Sequence, residues 1–293
     1  MTNTQMSYQI NQINKESIPE SLFEIPEPPK QLFLAGNMPK SGNKLLCVVG
    51  SRRHTPYGKE VVEKLISGLV GFPITIVSGL ALGIDSIAHE SALRAGLQTI
   101  AVPGSGLDPK VIYPRSHIGL AERIVKAGGG LLSEFEPTLK AAPWTFPQRN
   151  RIMAGLSDAI LVIEAEEKSG TLITSRLATD YNKDVFAVPG SIFSPQSAGP
   201  HMLIRLGATP VRSSQDILEQ FGLDAEVKQS VLPLDITDEE KLTLELITDL
   251  NGATKNDVLR ESKLPESQTQ AILMSLEISG LIEEKIGKIF LAN

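Results

Sequence analysis

Six short apolar runs alternate with helical patterns between residues 45 and 220, and this alternation constrains the fold more than any other feature of the chain. The runs are 45–49, 74–78, 98–102, 130–133, 159–163 and 184–188. They are rich in Val, Ile and Leu with little polar alternation, which suits strands buried on both faces. Helical patterns fall at 57–69, 85–95, 116–127, 149–156, 171–181, 199–206 and 213–220. This spacing predicts an α/β fold, a doubly wound and mostly parallel sheet with right-handed crossovers. In such a sheet the C-terminal strand ends converge on one crevice, where ligands bind.

The rest of the chain divides around this block. Residues 1–43 read as an N-terminal arm without a recognisable module, with a short strand at Leu32-Phe33-Leu34 and a turn at Ala35-Gly36-Asn37. Ile25-Pro26-Glu27-Pro28-Pro29-Lys30 is too proline-rich for a helix. Residues 44–221 form the α/β domain, and 222–236 read as a linker containing Pro233. At 237–293, Thr237-Asp238-Glu239-Glu240 fits a capping box before Leu242, Leu246, Ile247 and Leu250. Helices near 254–260 and 266–279 follow, then a hairpin signal around Ile286-Gly287. Three helices and a hairpin describe a small winged-helix-like domain.

Composition narrows the function. The net charge is −6, which argues against a generic, non-specific nucleic-acid binder. Residues 222–293 carry 14 acidic against 7 basic side chains, so this segment is not expected to be the main phosphate contact. The first 20 residues are polar and lack a signal-peptide pattern, and no run of about 18 apolar residues suggests a membrane span. The single cysteine, Cys47, sits inside an apolar run and reads as packing. A cytoplasmic setting is expected, with no membrane partner.

Three Gly-rich stretches stand at predicted strand ends. Gly50-Ser51-Arg52-Arg53 allows close backbone approach beside planar cationic donors, or is a turn with two solvated arginines. Gly79-Leu80-Ala81-Leu82-Gly83-Ile84-Asp85 leads into a helix, with Asp85 read as a helix cap and His89 as a packed, hydrogen-bonded histidine. Lys168-Ser169-Gly170-Thr171 brings hydroxyls, a lysine and backbone amides to one helix start. Together they predict a phosphate-facing floor made by Gly50, Ser51, Arg52, Arg53, Gly79, Ala81, Gly83, Asp85, Lys168, Ser169, Gly170 and Thr171. Arg149, Asn150 and Arg151 in Phe146-Pro147-Gln148-Arg149-Asn150-Arg151-Ile152 join this set, or are surface charge. Trp144 and Phe146 interleave aromatics with these cations, which suits base stacking, or they plug a loop. The chain contains no Walker A loop, no G-x-G-x-x-G, no G-x-S-x-G and no zinc-like ligand spacing, so no cofactor, metal or catalytic residue is expected.

The stretch Val77 to His89 resembles the signature of the DNA-processing protein A (DprA/Smf) family. Val49-Gly50-Ser51-Arg52, Phe146 to Ile152, Lys168 to Thr174 and Val188-Pro189-Gly190-Ser191 support it, and the likeness runs over 20–221. The resemblance implies a Rossmann-like domain that binds single-stranded DNA. It further implies protection of incoming DNA in natural transformation, loading of a RecA-type recombinase, and a homodimer. By the same likeness Arg52 is a DNA-contacting arginine, Lys168 flanks its pocket, and the C-terminal segment is a winged helix. Residues 1–43 are too short for the extra N-terminal module of some members.

An alternative is a nucleotide-binding or phosphoribohydrolase-like enzyme resembling the lysine-decarboxylase-like proteins. Their Pro-Gly-Gly-x-Gly-Thr-x-x-Glu loop survives here only as Gly170-Thr171, with Thr174 at the glutamate position. Asn150 replaces the lysine of their Arg–Lys pair. Lacking the carboxylate, the pocket is expected to bind phosphates without cleaving a glycosidic bond.

Overall fold

Leu46 and Val48 pack into one hydrophobic cluster and Cys47 and Val49 into another, which is why the run Lys44–Val49 shows no polar alternation. The computed structural model describes residues 8–223, 237–250, 253–262, 264–278, 281–285 and 287–291. These fall into two units, within 8–223 and within 237–291.

The first unit begins with β1 (Ile10–Ile13), β2 (Leu32–Gly36), β3 (Lys44–Val49), α1 (Pro56–Ser67), β4 (Ile74–Ser78) and α2 (Ile84–Arg94). Then come β5 (Thr99–Ala101), α3 (Ile118–Lys126), β6 (Gly130–Ser133), α4 (Thr145–Leu156), β7 (Ala159–Val162) and α5 (Thr171–Asp180). It closes with β8 (Asp184–Ala187), α6 (Ala198–Arg205), β9 (Thr209–Pro210) and α7 (Ser214–Gln220). The nine strands make one sheet in the order β1-β2-β6-β5-β4-β3-β7-β8-β9. From β6 to β9 every neighbouring pair is parallel, while β1–β2 and β2–β6 are antiparallel. The predicted α/β sheet is therefore present, Rossmann-like and mostly parallel. Helices α1, α2 and α7 cover one face, and α4, α5 and α6 the other.

The N-terminal segment differs from the expected arm. It supplies β1 and β2 to the sheet edge, and Leu22, Ile25 and Leu32 are buried with α4. Gly155 makes room for them, since a Cβ there would stand 2.7 Å from Ile25 Cγ2. Four residues of β1 and two of β9 are too short to show a period. Helix α4 starts at Thr145, four residues before the expected start. Pro147 lies in its first turn, where the missing N–H costs no helical hydrogen bond.

The second unit holds α8 (Asp238–Leu250), α9 (Lys255–Glu261), α10 (Glu266–Ile278), β10 (Ile282–Lys285) and β11 (Lys288–Leu291). Its core gathers Ile247, Val258, Leu273, Leu276 and Ile289. The expected capping contacts form, with Glu240 N–H donating to Thr237 Oγ1 and Thr237 N–H to Glu240 Oε2. Thr254 and Asp257 form a second capping box. Most of the expected linker, from residue 224 to 236, lies outside the described residues. No described helix is long and apolar enough to cross a membrane.

Candidate functional site

The chain runs outward through β3, β4, β5 and β6, then returns to the other side of β3 to lay down β7. At that reversal the connections leaving β3 and β7 diverge, and a crevice opens at their C-terminal ends. Its volume is about 490 Å³. Gly50, Ser51, Arg52 and Arg53 line one lip, and Lys168, Ser169, Gly170 and Thr171 the other. Ala81, Asp85, Arg149 and Asn150 contribute the floor. Thr171 Oγ1 donates to Gly50 O at 3.1 Å and so ties the two lips together.

Three predicted residues do not line this crevice. Gly83, at φ +79°, tucks beneath the Arg52 backbone, where a Cβ would stand 2.2 Å from Ser51 O. Gly79 lies against the Arg149 guanidinium, with room for no side chain. Arg151 points away, donating to Glu27 O at 2.6 Å and pairing with the Glu134 carboxylate. Burial pushes that carboxyl above its ordinary value, and Arg151 pulls it back.

The floor is an internal charge network. Arg149 is 5% exposed, and its Nη1 donates to Gly79 O and to Val102 O, the latter at 2.6 Å. Its Nε donates to Asn150 Oδ1 at 3.0 Å. This fork clamps the ends of β4 and β5. Asp85 is equally buried but is not the helix cap expected of it, because Gly83 occupies that position. Its carboxylate instead accepts from Gly79 N at 3.2 Å and Ala81 N at 3.4 Å, closing the turn before α2. Burial raises the Asp85 pKa, and Arg149 and these two amides oppose it. His89 is packed as expected, with Nδ1 2.7 Å from Thr99 Oγ1. Burial pushes its pKa down to about 3, so it is neutral at pH 7.

These bonds change what the crevice offers an anion. The amides of Gly79 and Ala81 are taken by Asp85. At the start of α5, Thr171 N donates to Ser169 Oγ, Leu172 N to Ser169 O and Ile173 N to Gly170 O. The expected cradle of helix-terminal amides is thus already engaged by the chain itself. The remaining charge donors are side chains. Arg52, Arg53 and Lys168 are exposed, and none is ion-paired among the described residues.

The aromatics also rearrange. The Arg52 guanidinium lies 5.1 Å over the Phe146 ring, a cation–π contact. Trp144 packs edge-on against Phe135 at 5.7 Å and does not line the crevice. Phe146 pairs instead with Tyr113 at 5.9 Å.

Glu164 was not singled out by the sequence. It is buried just past β7, accepting from Thr55 N at 2.9 Å and from the Thr55 hydroxyl, and so anchors α1 at the crevice edge. A lone carboxylate between Ile163 and Ala165 was the available signal. Thr174 and Asn150, at the positions of the hydrolase carboxylate and lysine, both line the crevice. Among the described residues, no group of three or more His, Cys, Asp or Glu side chains is placed to hold a metal ion.

A family model described as DNA recombination-mediator protein A matches residues 9–222. Protein Smf of Escherichia coli K12 is 39% identical over 282 residues, covering 92% of this chain and 73% of that protein. The DNA processing protein DprA of Streptococcus pneumoniae R6 is 45% identical over 205 residues, covering 69% and 71%. Among solved structures, the S. pneumoniae DprA matches with a TM-score of 0.67 at 41% identity, over 72% of this chain and 74% of that one. DNA processing protein A of Helicobacter pylori, which binds single-stranded DNA, matches with a TM-score of 0.65 at 31% identity. That match covers 74% of this chain and 98% of the H. pylori chain.

Proposed function

Because this chain belongs to the DNA recombination-mediator protein A (DprA/Smf) family, we propose that its crevice binds single-stranded DNA through the sugar–phosphate backbone. One observation carries the reading: exposed Arg52 and Lys168 both line a strand-end crevice, without ion-pair partners among the described residues. Arg52 offers a bidentate fork to one phosphate, and Lys168 a point charge to the next. Phe146 beneath Arg52 holds that guanidinium at the crevice by a cation–π contact. On this reading one flexible strand reaches the side chains that line the crevice more readily than a rigid duplex does.

The test is fluorescence anisotropy of labelled dT20, with unlabelled duplex as competitor, across a salt series. For two neutralised phosphates, log K should fall with log salt at a slope of about −1.4. Duplex should compete poorly. A slope near zero would sink the phosphate grip.

The wider reading is that the protein protects incoming single strands as a homodimer and hands them to a RecA-type recombinase. We read the second unit as a winged helix that contacts protein, because residues 222–293, which include it, carry 14 acidic and 7 basic residues. The H. pylori relative supports this division of labour, since nearly all of that single-strand-binding chain is matched by 74% of this one. Deleting 237–293 should therefore leave dT20 affinity within about threefold; a larger loss makes the unit a DNA reader. Light scattering on both forms tests the dimer.

A further inference from the structure

The amides of Gly79, Ala81 and Thr171 are engaged within the chain, so an anion in the crevice is met by side chains. Its grip then depends on where the backbone presents Arg52. The six residues from Gly50 to Thr55 that carry this arginine are held at both ends. Upstream, Gly50 O accepts from Thr171 Oγ1 at 3.1 Å, and Ser51 O accepts from Ile84 N at 3.1 Å. Downstream, the anchor is a single side chain, Glu164.

Glu164 is 3% exposed, and both its carboxylate oxygens serve one residue. Thr55 N donates to Oε2 at 2.9 Å, and the Thr55 hydroxyl donates to Oε1. Thr55 in turn caps α1, with its Oγ1 accepting from Gly58 N at 3.2 Å. Gly58 leaves room for the carboxylate, since a Cβ there would stand 2.4 Å from Glu164 Oε2. The negative charge also suits a helix start. Glu164 follows Ile163, whose N–H donates to Val49 O at 3.1 Å, and precedes Lys168 in the connection after β7. One carboxylate thus ties that connection to the far end of the loop after β3. Arg52 and Arg53 lie between this anchor and the one at Ser51.

We propose that Glu164 is a positioning residue for single-strand binding: by seating Thr55 it fixes the loop that presents Arg52 to a phosphate. The inference rests on the single-strand reading of the crevice. Glu164 does not itself line the crevice, and its charge has the wrong sign to attract DNA. Its removal therefore sets two effects against each other. Electrostatics alone makes Glu164→Gln bind an anionic strand more tightly. Loss of the anchor makes it bind more weakly, because an amide has one acceptor oxygen for the two Thr55 donors.

The experiment measures labelled dT20 binding across a salt series for wild type, Glu164→Gln, Thr55→Val and Thr55→Ser, each with Arg52 present and in the Arg52→Ala background. Glu164→Gln and Thr55→Val should each bind about 3- to 30-fold more weakly than wild type, as for coupled neighbours. Their salt slopes should move toward that of Arg52→Ala, shallower by up to about 0.7. Partial unfolding lowers only the active fraction and leaves the slope alone. Thr55→Ser keeps both donors and should match wild type. In the Arg52→Ala background neither weakening substitution should change affinity by more than about twofold. Wild-type or tighter binding by Glu164→Gln, or an equal loss with and without Arg52, overturns the positioning role alone. If urea unfolding shows Glu164→Gln to be unfolded, Thr55→Val decides by the same slope and the same Arg52→Ala comparison. Failure of the wild-type chain to bind dT20, or unchanged binding in Arg52→Ala, overturns the single-strand reading at Arg52 and the positioning role with it.

Discussion

Arg149→Ala is expected to destabilise the first unit by about 3–5 kcal/mol, the usual cost of breaking a buried charge network from one side. The guanidinium serves Gly79 O and Val102 O at the ends of two neighbouring strands, and the Asn150 amide oxygen beside them. Without it both carbonyls lose a buried donor, and each such loss costs about 1–3 kcal/mol. Asp85 also loses its principal favourable charge. Arg149→Lys should recover little, because one ammonium cannot reproduce a fork that reaches three acceptors. The only tryptophan of the chain, Trp144, lies in this unit, so urea unfolding followed by its fluorescence reports on it directly. A loss below 1 kcal/mol would show that the clamp is not structural. The deficit should also depend on pH. A carboxyl whose folded pKa exceeds its ordinary value of 3.8 is best tolerated when protonated, so its contribution worsens as pH rises through the folded pKa. Removing Arg149 raises the Asp85 pKa further. The variant should therefore be closer to wild type near pH 4 than at pH 7.

Arg52→Ala should leave stability nearly unchanged and weaken dT20 binding by about 10- to 100-fold, the range for a charge-assisted hydrogen bond to phosphate. Arg52 is exposed, and its visible contact is the Phe146 ring, worth about 0.5–1 kcal/mol at such a site. The salt slope should become shallower by about 0.7, one phosphate fewer. Arg52→Lys should be intermediate, keeping the charge but losing the fork and the planar stacking on Phe146. Arg151→Ala supplies the contrast. Its guanidinium is committed to Glu134 and Glu27, so dT20 affinity and slope should not move even as stability falls. An unchanged affinity in Arg52→Ala, or a changed slope in Arg151→Ala, would mean that the phosphates lie elsewhere.

Much of this protein is set by local pattern. The apolar runs located the strands Ile74–Ser78 and Gly130–Ser133 to the residue, because a strand buried on both faces has no other composition open to it. The glycines at 79 and 83 marked a junction where chain packs against chain. The alternation of strand and helix then placed Gly50–Arg53 and Lys168–Thr171 on one edge. What no local pattern carries is the partner of each polar group. Arg149 and Arg151 stand two residues apart in the same basic stretch, yet one clamps the floor and the other turns to Glu134. Asp85 looks like a helix cap until the turn at Gly79 folds back onto it. The amides of α5 look free until Ser169 and Gly170 take them. Tyr113 and Phe146 are far apart in sequence and meet because β5 and β6, the strands that precede them, lie side by side. Periodicity is a property of neighbours along the chain and is legible there. Hydrogen bonds, ion pairs and ring contacts across the sheet edge depend on which strands lie side by side, and only the tertiary structure decides that.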